Sequence, residues 1–234
     1  MNRVVLITGA SSGIGAATAL ALAEHFRLVL VARRKDRLLE VVNQVHQLGG
    51  QAYAVAADLT GNGVPDGVVE ESVTRCGGID AVINNAGVFR TAAVGAINQE
   101  HIDELWKLNV LAPMLLVRAA LPHLRGRHGG WIINVSSTVV ENTFTGCGVY
   151  TATKAAIEGW SRVLREELRG TNVRVGVVAP GPTDTEIWPE GFAAEKRSRM
   201  AKASDVAAAI RFMLETPASA SIDRLVVNPP GGAI

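Results

Sequence analysis

The sequence predicts an α/β fold: one doubly wound domain of about seven parallel strands with helices on both faces. Three observations carry the prediction. Short β-branched runs alternate with helical segments along nearly the whole chain, an order that needs parallel strands joined by helical crossovers. The first of these runs ends in a glycine-rich turn that opens a helix, Gly9-Ala-Ser-Ser-Gly13-Ile-Gly15. Polar and small residues gather where the strands end, the edge at which such sheets bind ligands. The 234 residues show no internal repeat, low-complexity tract or linker, so 1–234 read as one domain.

Taken in order, Arg3 to Thr8 is a buried strand, the glycine turn follows, and an Ala/Leu-rich helix runs to about His25. Glycines let the backbone of Gly9, Ser11, Ser12, Gly13, Ile14 and Gly15 approach a ligand closely, and a helix N-terminus offers free N–H groups to a pyrophosphate. Arg27 to Ala32 is the second strand. It ends without a carboxylate and runs into Arg33-Arg34-Lys35. An acidic residue there would accept from a ribose 2′-hydroxyl, whereas a guanidinium forks onto a 2′-phosphate, so the pattern favours NADP(H) over NAD(H). Asp36 is a candidate cap for a helix to Leu48. Gln51 to Ala57 is the third strand. After it, Asp58-Leu59 is placed either to accept from an adenine amino group or to close a loop. A loop from Gly61 to Gly67 and a helix from Val68 to Cys76 lead to the fourth strand, Ile79 to Ile83. That strand opens onto Asn84-Asn85-Ala86-Gly87, where small residues leave room for a ligand.

Gln99 to Leu121 reads as one long helix kinked at Pro113. Asn109, four residues earlier, is placed to serve freed backbone or to hold a water. Leu124 to Gly130 is a basic loop, Trp131 to Val135 the fifth strand, and Ser136-Ser137 stand at its end. The helix from Val149 to Arg169 carries Tyr150 and Lys154, four residues apart and so on one face. An ammonium beside a phenol favours phenolate and would lower the tyrosine pKa into use as an acid/base. The sixth strand, Val173 to Val178, runs into a stiff turn containing Pro180, Gly181, Thr183 and Thr185. Glu186 to Lys202 is either a mobile lid or a surface connection. Ser204-Asp205 caps a last helix to about Glu215, Arg224 to Asn228 is the seventh strand, and the Pro-Pro-Gly-Gly tail packs poorly unless an oligomer holds it.

Composition excludes several classes. With 48% hydrophobic residues a chain of this length buries a sizeable core. A net charge of +1 with no run of one sign argues against nucleic-acid or acidic partners. Cys76 and Cys147 are far apart and in no metal or redox spacing, so no metal is expected and both read as reduced thiols. No apolar stretch reads as long enough to span a bilayer, and Val4 to Ile7 is too short for a signal core. The expectation is a soluble, cytoplasmic protein.

Thr8-Gly-Ala-Ser-Ser-Gly-Ile-Gly15, Asn84-Asn-Ala-Gly87, the spacing of Ser137, Tyr150 and Lys154, and Pro180-Gly181 together resemble the short-chain dehydrogenase/reductase superfamily, in order and over essentially the whole chain. The resemblance implies a single Rossmann-type domain, NAD(P) as hydride carrier, and a homotetramer or homodimer. Tyr150 resembles the catalytic acid/base. Lys154 resembles the residue that tunes it and binds the nicotinamide ribose. Ser137 resembles the hydroxyl that orients the substrate carbonyl, and Asn109 the asparagine that holds a proton-relay water to Lys154. Arg33 falls where NADP-preferring members carry a basic residue, Thr183 where backbone meets the carboxamide, and Thr185 near the phosphates. Val139-Val140 replaces a common Ala-Gly pair and gives the substrate a larger apolar wall. The function expected is a reversible NADP(H)-dependent carbonyl reductase/alcohol dehydrogenase acting on a ketone or secondary alcohol. The alternative is a catalytically silent nucleotide-binding regulatory or structural protein.

Overall fold

The computed structural model describes residues 3–127, 129–189 and 191–232. Seven strands form one sheet: β1 (Val4–Thr8), β2 (Arg27–Ala32), β3 (Gln51–Ala56), β4 (Ala81–Asn84), β5 (Gly130–Val135), β6 (Val173–Pro180) and, last in the chain, β9 (Arg224–Val227). Their order is β3-β2-β1-β4-β5-β6-β9, and every pairing is parallel. The predicted architecture is therefore the one observed. Alternation within each strand explains why both faces are covered. On β1, Val5 and Ile7 point into one core layer while Val4 and Leu6 point into the other; on β2, Leu28 and Leu30 oppose Val29 and Val31. Each of these fully buried branched side chains contributes roughly 2 kcal/mol. Helices α1 (Gly13–Leu22), α2 (Lys35–Gln47) and α8 (Ala203–Glu215) cover the first face. Helices α3 (Val64–Cys76), α5 (Ala112–Arg125) and α6 (Gly148–Glu167) cover the second. Strand order reverses between β1 and β4, and a cleft opens there, at the carboxyl ends of the strands.

Several local expectations are corrected. The long helix is not a single kinked rod. Helix α4 (Gln99–Trp106) passes through a π-turn, Lys107–Leu111, into α5. Pro113 sits in the first turn of α5, where its missing N–H costs little, and the wider turn just before it absorbs the conflict. Gln99–Arg125 is also long and apolar enough, by length and composition, to cross a membrane, which the sequence reading passed over. Its Leu116, Val117, Ala120 and Leu124 are packed into the core. Helix α3 starts at Val64, four residues before the expected start, because Pro65 suits a first turn and Gly63 supplies the left-handed residue ahead of it. Asp36 does not cap α2. The cap position is Arg34, and Asp36 lies in the first turn, where its charge suits the helix dipole. For α8, Asp205 but not Ser204 does the capping, accepting the Lys202 N–H at 2.9 Å.

The segment after β6 is more ordered than either a free lid or a plain connection. Strands β7 (Thr183–Asp184) and β8 (Ala201–Lys202) pair in parallel and pin its two ends, and a short helix α7 (Ala194–Arg197) lies between them. Pro229 in the tail is buried. Glu190 of the expected lid and His128 of the expected basic loop lie outside the described residues, as do the tail's Ala233 and Ile234.

Candidate active site

One cleft of about 860 Å³ runs along the carboxyl edge of the sheet. Its floor at the β1 end is the glycine turn. Gly9 and Gly13 have φ of +65° and +53°, which side chains disfavour. A Cβ on Gly9 would stand 2.9 Å from Ala86 Cα, and one on Gly15 would stand 2.3 Å from the Gly9 carbonyl and 2.6 Å from Asn85 Nδ2. Gly15 does not line the cleft. It lies beneath it and lets α1 press against the turn. The β1 and β4 ends are stitched together: Thr8 Oγ1 accepts from the N–H of Asn85 (3.0 Å) and of Ala86 (2.9 Å), and Asn85 Nδ2 donates to the Thr8 carbonyl at 2.9 Å. Ser12 precedes α1 in extended conformation and makes no side-chain cap, so first-turn N–H groups are left for an anion. A bare, glycine-lined cradle at a helix N-terminus fits a dinucleotide pyrophosphate.

Along the same wall, Arg33 is exposed and 4.0 Å from the Asp58 carboxylate. Asp58 is turned toward Thr60, accepting from its N–H (3.0 Å) and hydroxyl (2.8 Å), and these bonds hold its carboxyl below its ordinary pKa. Arg34 reaches back over the turn to Ser11 and Ser12. The second strand thus ends in guanidinium groups with no carboxylate at Ala32, a donor set suited to a further phosphate. Leu59, Asn85, Ala86, Gly87, Pro180, Gly181, Thr183 and Thr185 also line the cleft.

At the far end, Ser137, Tyr150 and Lys154 meet. Ser137 follows β5, its Oγ accepting the Val139 N–H at 3.2 Å. Tyr150 and Lys154 lie on one buried stripe of α6 that continues to Glu158 and Ser161. The expected lowering of the tyrosine pKa by its lysine is not what the geometry gives. Lys154 Nζ lies 5.6 Å from the Tyr150 ring centroid and donates to the Val135 carbonyl at 2.9 Å. Burial pushes the phenol well above its ordinary value, and a hydrogen bond with Ser137 opposes that only in part. Burial also pushes the lysine down to about 8. Tyr150 is therefore a protonated acid across the neutral range.

Asn109 sits in the π-turn behind the cleft and does not line it. Its side chain is fully engaged. Oδ1 accepts the Val88 N–H at 2.9 Å, and Nδ2 donates to the Val88 carbonyl (3.0 Å) and to Thr153 Oγ1 (3.2 Å). The amide thus splints the loop after β4 to α6, and its Oδ1 lies 3.3 Å from where a Gly87 Cβ would be, with Lys154 Nζ at 3.6 Å. Beneath the site, Ser136 donates to Glu158 Oε1 at 2.8 Å, and Arg224 from β9 donates to Glu158 Oε2 at 3.2 Å. Glu158 was overlooked in the sequence, although it stands four residues after Lys154 on the same helical face.

Phe89 was also overlooked. Its ring packs edge-on against Tyr150 at 4.9 Å and against Trp188 at 5.5 Å, and Trp188 packs on Phe192 at 4.7 Å. Trp188 is fixed by its Nε1, which donates to the Thr183 carbonyl at 2.8 Å. With Val139 and Met200 these aromatics form an apolar wall. Beside the wall, Arg90 is paired with Glu104 at 3.4 Å, and Lys196 lies over the Phe192 ring at 5.7 Å.

A profile described as short chain dehydrogenase matches residues 3–196. The chain belongs to the short-chain dehydrogenase/reductase family. It is an oxidoreductase by that membership. It is 35% identical, over 99% of its length and 97% of the relative's, to an uncharacterised oxidoreductase of Methylorubrum extorquens. A short chain dehydrogenase from Burkholderia cenocepacia, solved in complex with NADP, superposes with a TM-score of 0.88 at 32% identity, covering 97% of this chain and 96% of that one. An alcohol dehydrogenase from the archaeon Thermococcus sibiricus, complexed with 5-hydroxy-NADP, gives a TM-score of 0.89 at 28% identity over 98% and 97% of the two chains. The family also contains NAD-dependent members.

Proposed function

We propose that this oxidoreductase is a reversible NADP(H)-dependent carbonyl reductase/alcohol dehydrogenase acting on ketones and the matching secondary alcohols. The observation that carries the reading is the convergence of Ser137 with the buried Tyr150 and Lys154 in one corner of the cleft that also holds the glycine cradle and Arg33. Bound nicotinamide would supply or accept the hydride. The protein's own residues do the rest. Ser137 hydrogen-bonds the substrate oxygen and orients the carbonyl. Tyr150, kept protonated by burial, gives its proton as alkoxide charge develops. Lys154 places a positive charge against the same corner, held there by the Val135 carbonyl. Asn109 keeps the Val88 loop and Thr153 at fixed distance around that lysine. Gly9 to Gly15, Asp58, Leu59 and Asn85 to Gly87 would hold the dinucleotide, Arg33 and Arg34 its 2′-phosphate, Thr185 its phosphates beside the glycine turn, and Pro180 to Thr183 its nicotinamide end.

The aromatic wall of Phe89, Trp188 and Phe192 supports a flat, apolar ketone. Exposed Leu111, Phe212 and Val226 are in keeping with a homo-oligomer, and the two reduced cysteines with a cytoplasmic setting. The experiment that tests the function is NADPH-linked turnover of a ketone panel by the wild type and by Tyr150→Phe.

A further inference from the structure

Glu186 stands where the nucleotide site would have an anion. Its Oε2 accepts from Arg34 Nη1 at 2.9 Å and its Oε1 from Arg37 Nη1 at 3.4 Å. Arg34, with Arg37 beside it, holds the carboxyl below its ordinary pKa. The same Arg34 donates from Nη2 to Ser12 Oγ at 2.7 Å and to Ser11 Oγ at 3.4 Å. Both Arg34 and Glu186 line the cleft. Two guanidiniums, one of which also holds both serine hydroxyls of the glycine turn, thus meet a carboxylate that stands 152 residues beyond Arg34. No charge balance in the core requires it, because all three ionised side chains are about half exposed. Exposed pairs of this kind are weak and easily exchanged for a better anion. A phosphate dianion, with more charge and three acceptor oxygens, is such an anion for a guanidinium.

We propose that Glu186 is a cofactor-selectivity residue: its carboxylate occupies Arg34 and must be displaced by the cofactor 2′-phosphate, so it weakens NADP(H) specifically. The inference rests on the nucleotide-binding reading above. The glutamate follows Thr185, whose Cβ is 3.1 Å from where a Gly13 Cβ would stand, so the segment carrying it already lies across the glycine turn. Glu186→Gln keeps the size and removes the charge. Titration calorimetry of NADP+ and NAD+ against the wild type and this variant tests the idea without any turnover. The expected result is an NADP+ Kd lowered about threefold to fivefold, as for loss of one exposed charge contact, and an NAD+ Kd changed by less than about twofold. In an Arg34→Gln background the same substitution should give no gain. An unchanged or weakened NADP+ Kd, an equal gain for both nucleotides, or a gain that survives Arg34→Gln would overturn it while leaving the function standing. A wild type that binds neither nucleotide would bring down both readings.

Discussion

The two ends of the cleft are built on different principles. At the β1 end the shape is set by what is missing: Gly9, Gly13 and Gly15 leave space that any Cβ would fill, and backbone faces the cleft. At the β5 end the shape is set by what is added. Phe89, Trp188 and Phe192 extend from Tyr150 as an aromatic wall, carried partly on the segment between β7 and β8. A site made of absences tolerates almost no substitution. A site made of side chains can be re-cut without loss of the fold. The difference separates an end that backbone geometry fixes from an end that exchangeable side chains shape.

The comparison breaks most sharply at Gly15. Gly15→Ala places a methyl 2.3 Å from the Gly9 carbonyl, too close for any rotamer change to relieve. The expected cost is about 3–4 kcal/mol in denaturant unfolding, with nucleotide binding lost. A variant of near-normal stability and affinity would show that the turn yields more than its geometry allows.

Lys154, at the β5 end, sharpens the comparison through pH. Burial holds its folded pKa at about 8, below its ordinary 10.5. The unfolded chain then binds the proton more tightly, so the burden on stability is full below about pH 8, falls as pH rises from there to 10.5, and is absent above. Lys154→Met should remove turnover yet stabilise the fold by about 2 kcal/mol at pH 7, after allowance for the lost bond to Val135. Urea unfolding at pH 7 and pH 10 should show that gain shrinking. A gain independent of pH would contradict the desolvation argument.

The smallest effect is expected at the wall. Trp188→Ala should lower kcat/KM for an aryl ketone about tenfold, leave the Kd for NADP+ within twofold, and change stability by no more than about 1 kcal/mol. Loss of nucleotide binding in that variant would erase the distinction between the ends.

How far the sequence could be read follows the same division. The alternation of strands and helices, the glycine turn, and the i, i+4 spacing of Tyr150 and Lys154 are local signals, and each stands where it was expected. The contacts that modify them are not local. That Lys154 turns to the Val135 carbonyl, that Glu186 reaches Arg34, and that Phe89 packs on Tyr150 depend on strands and loops brought together from distant sequence. The π-turn was hidden because Pro113 announces a disturbance without saying which residues absorb it. Glu158 was legible in principle, since the helical face of Tyr150 and Lys154 runs straight through it.

The central claim is that Tyr150 delivers the proton from a site it does not help to hold open. Tyr150→Phe keeps the ring against Phe89 and deletes only the hydroxyl. Steady-state oxidation of NADPH with an uncharged aryl ketone should fall at least about a thousandfold in kcat, while the Kd for NADP+ measured by calorimetry stays within about twofold. Turnover near the wild-type rate, or the loss of nucleotide binding together with activity, would contradict the account.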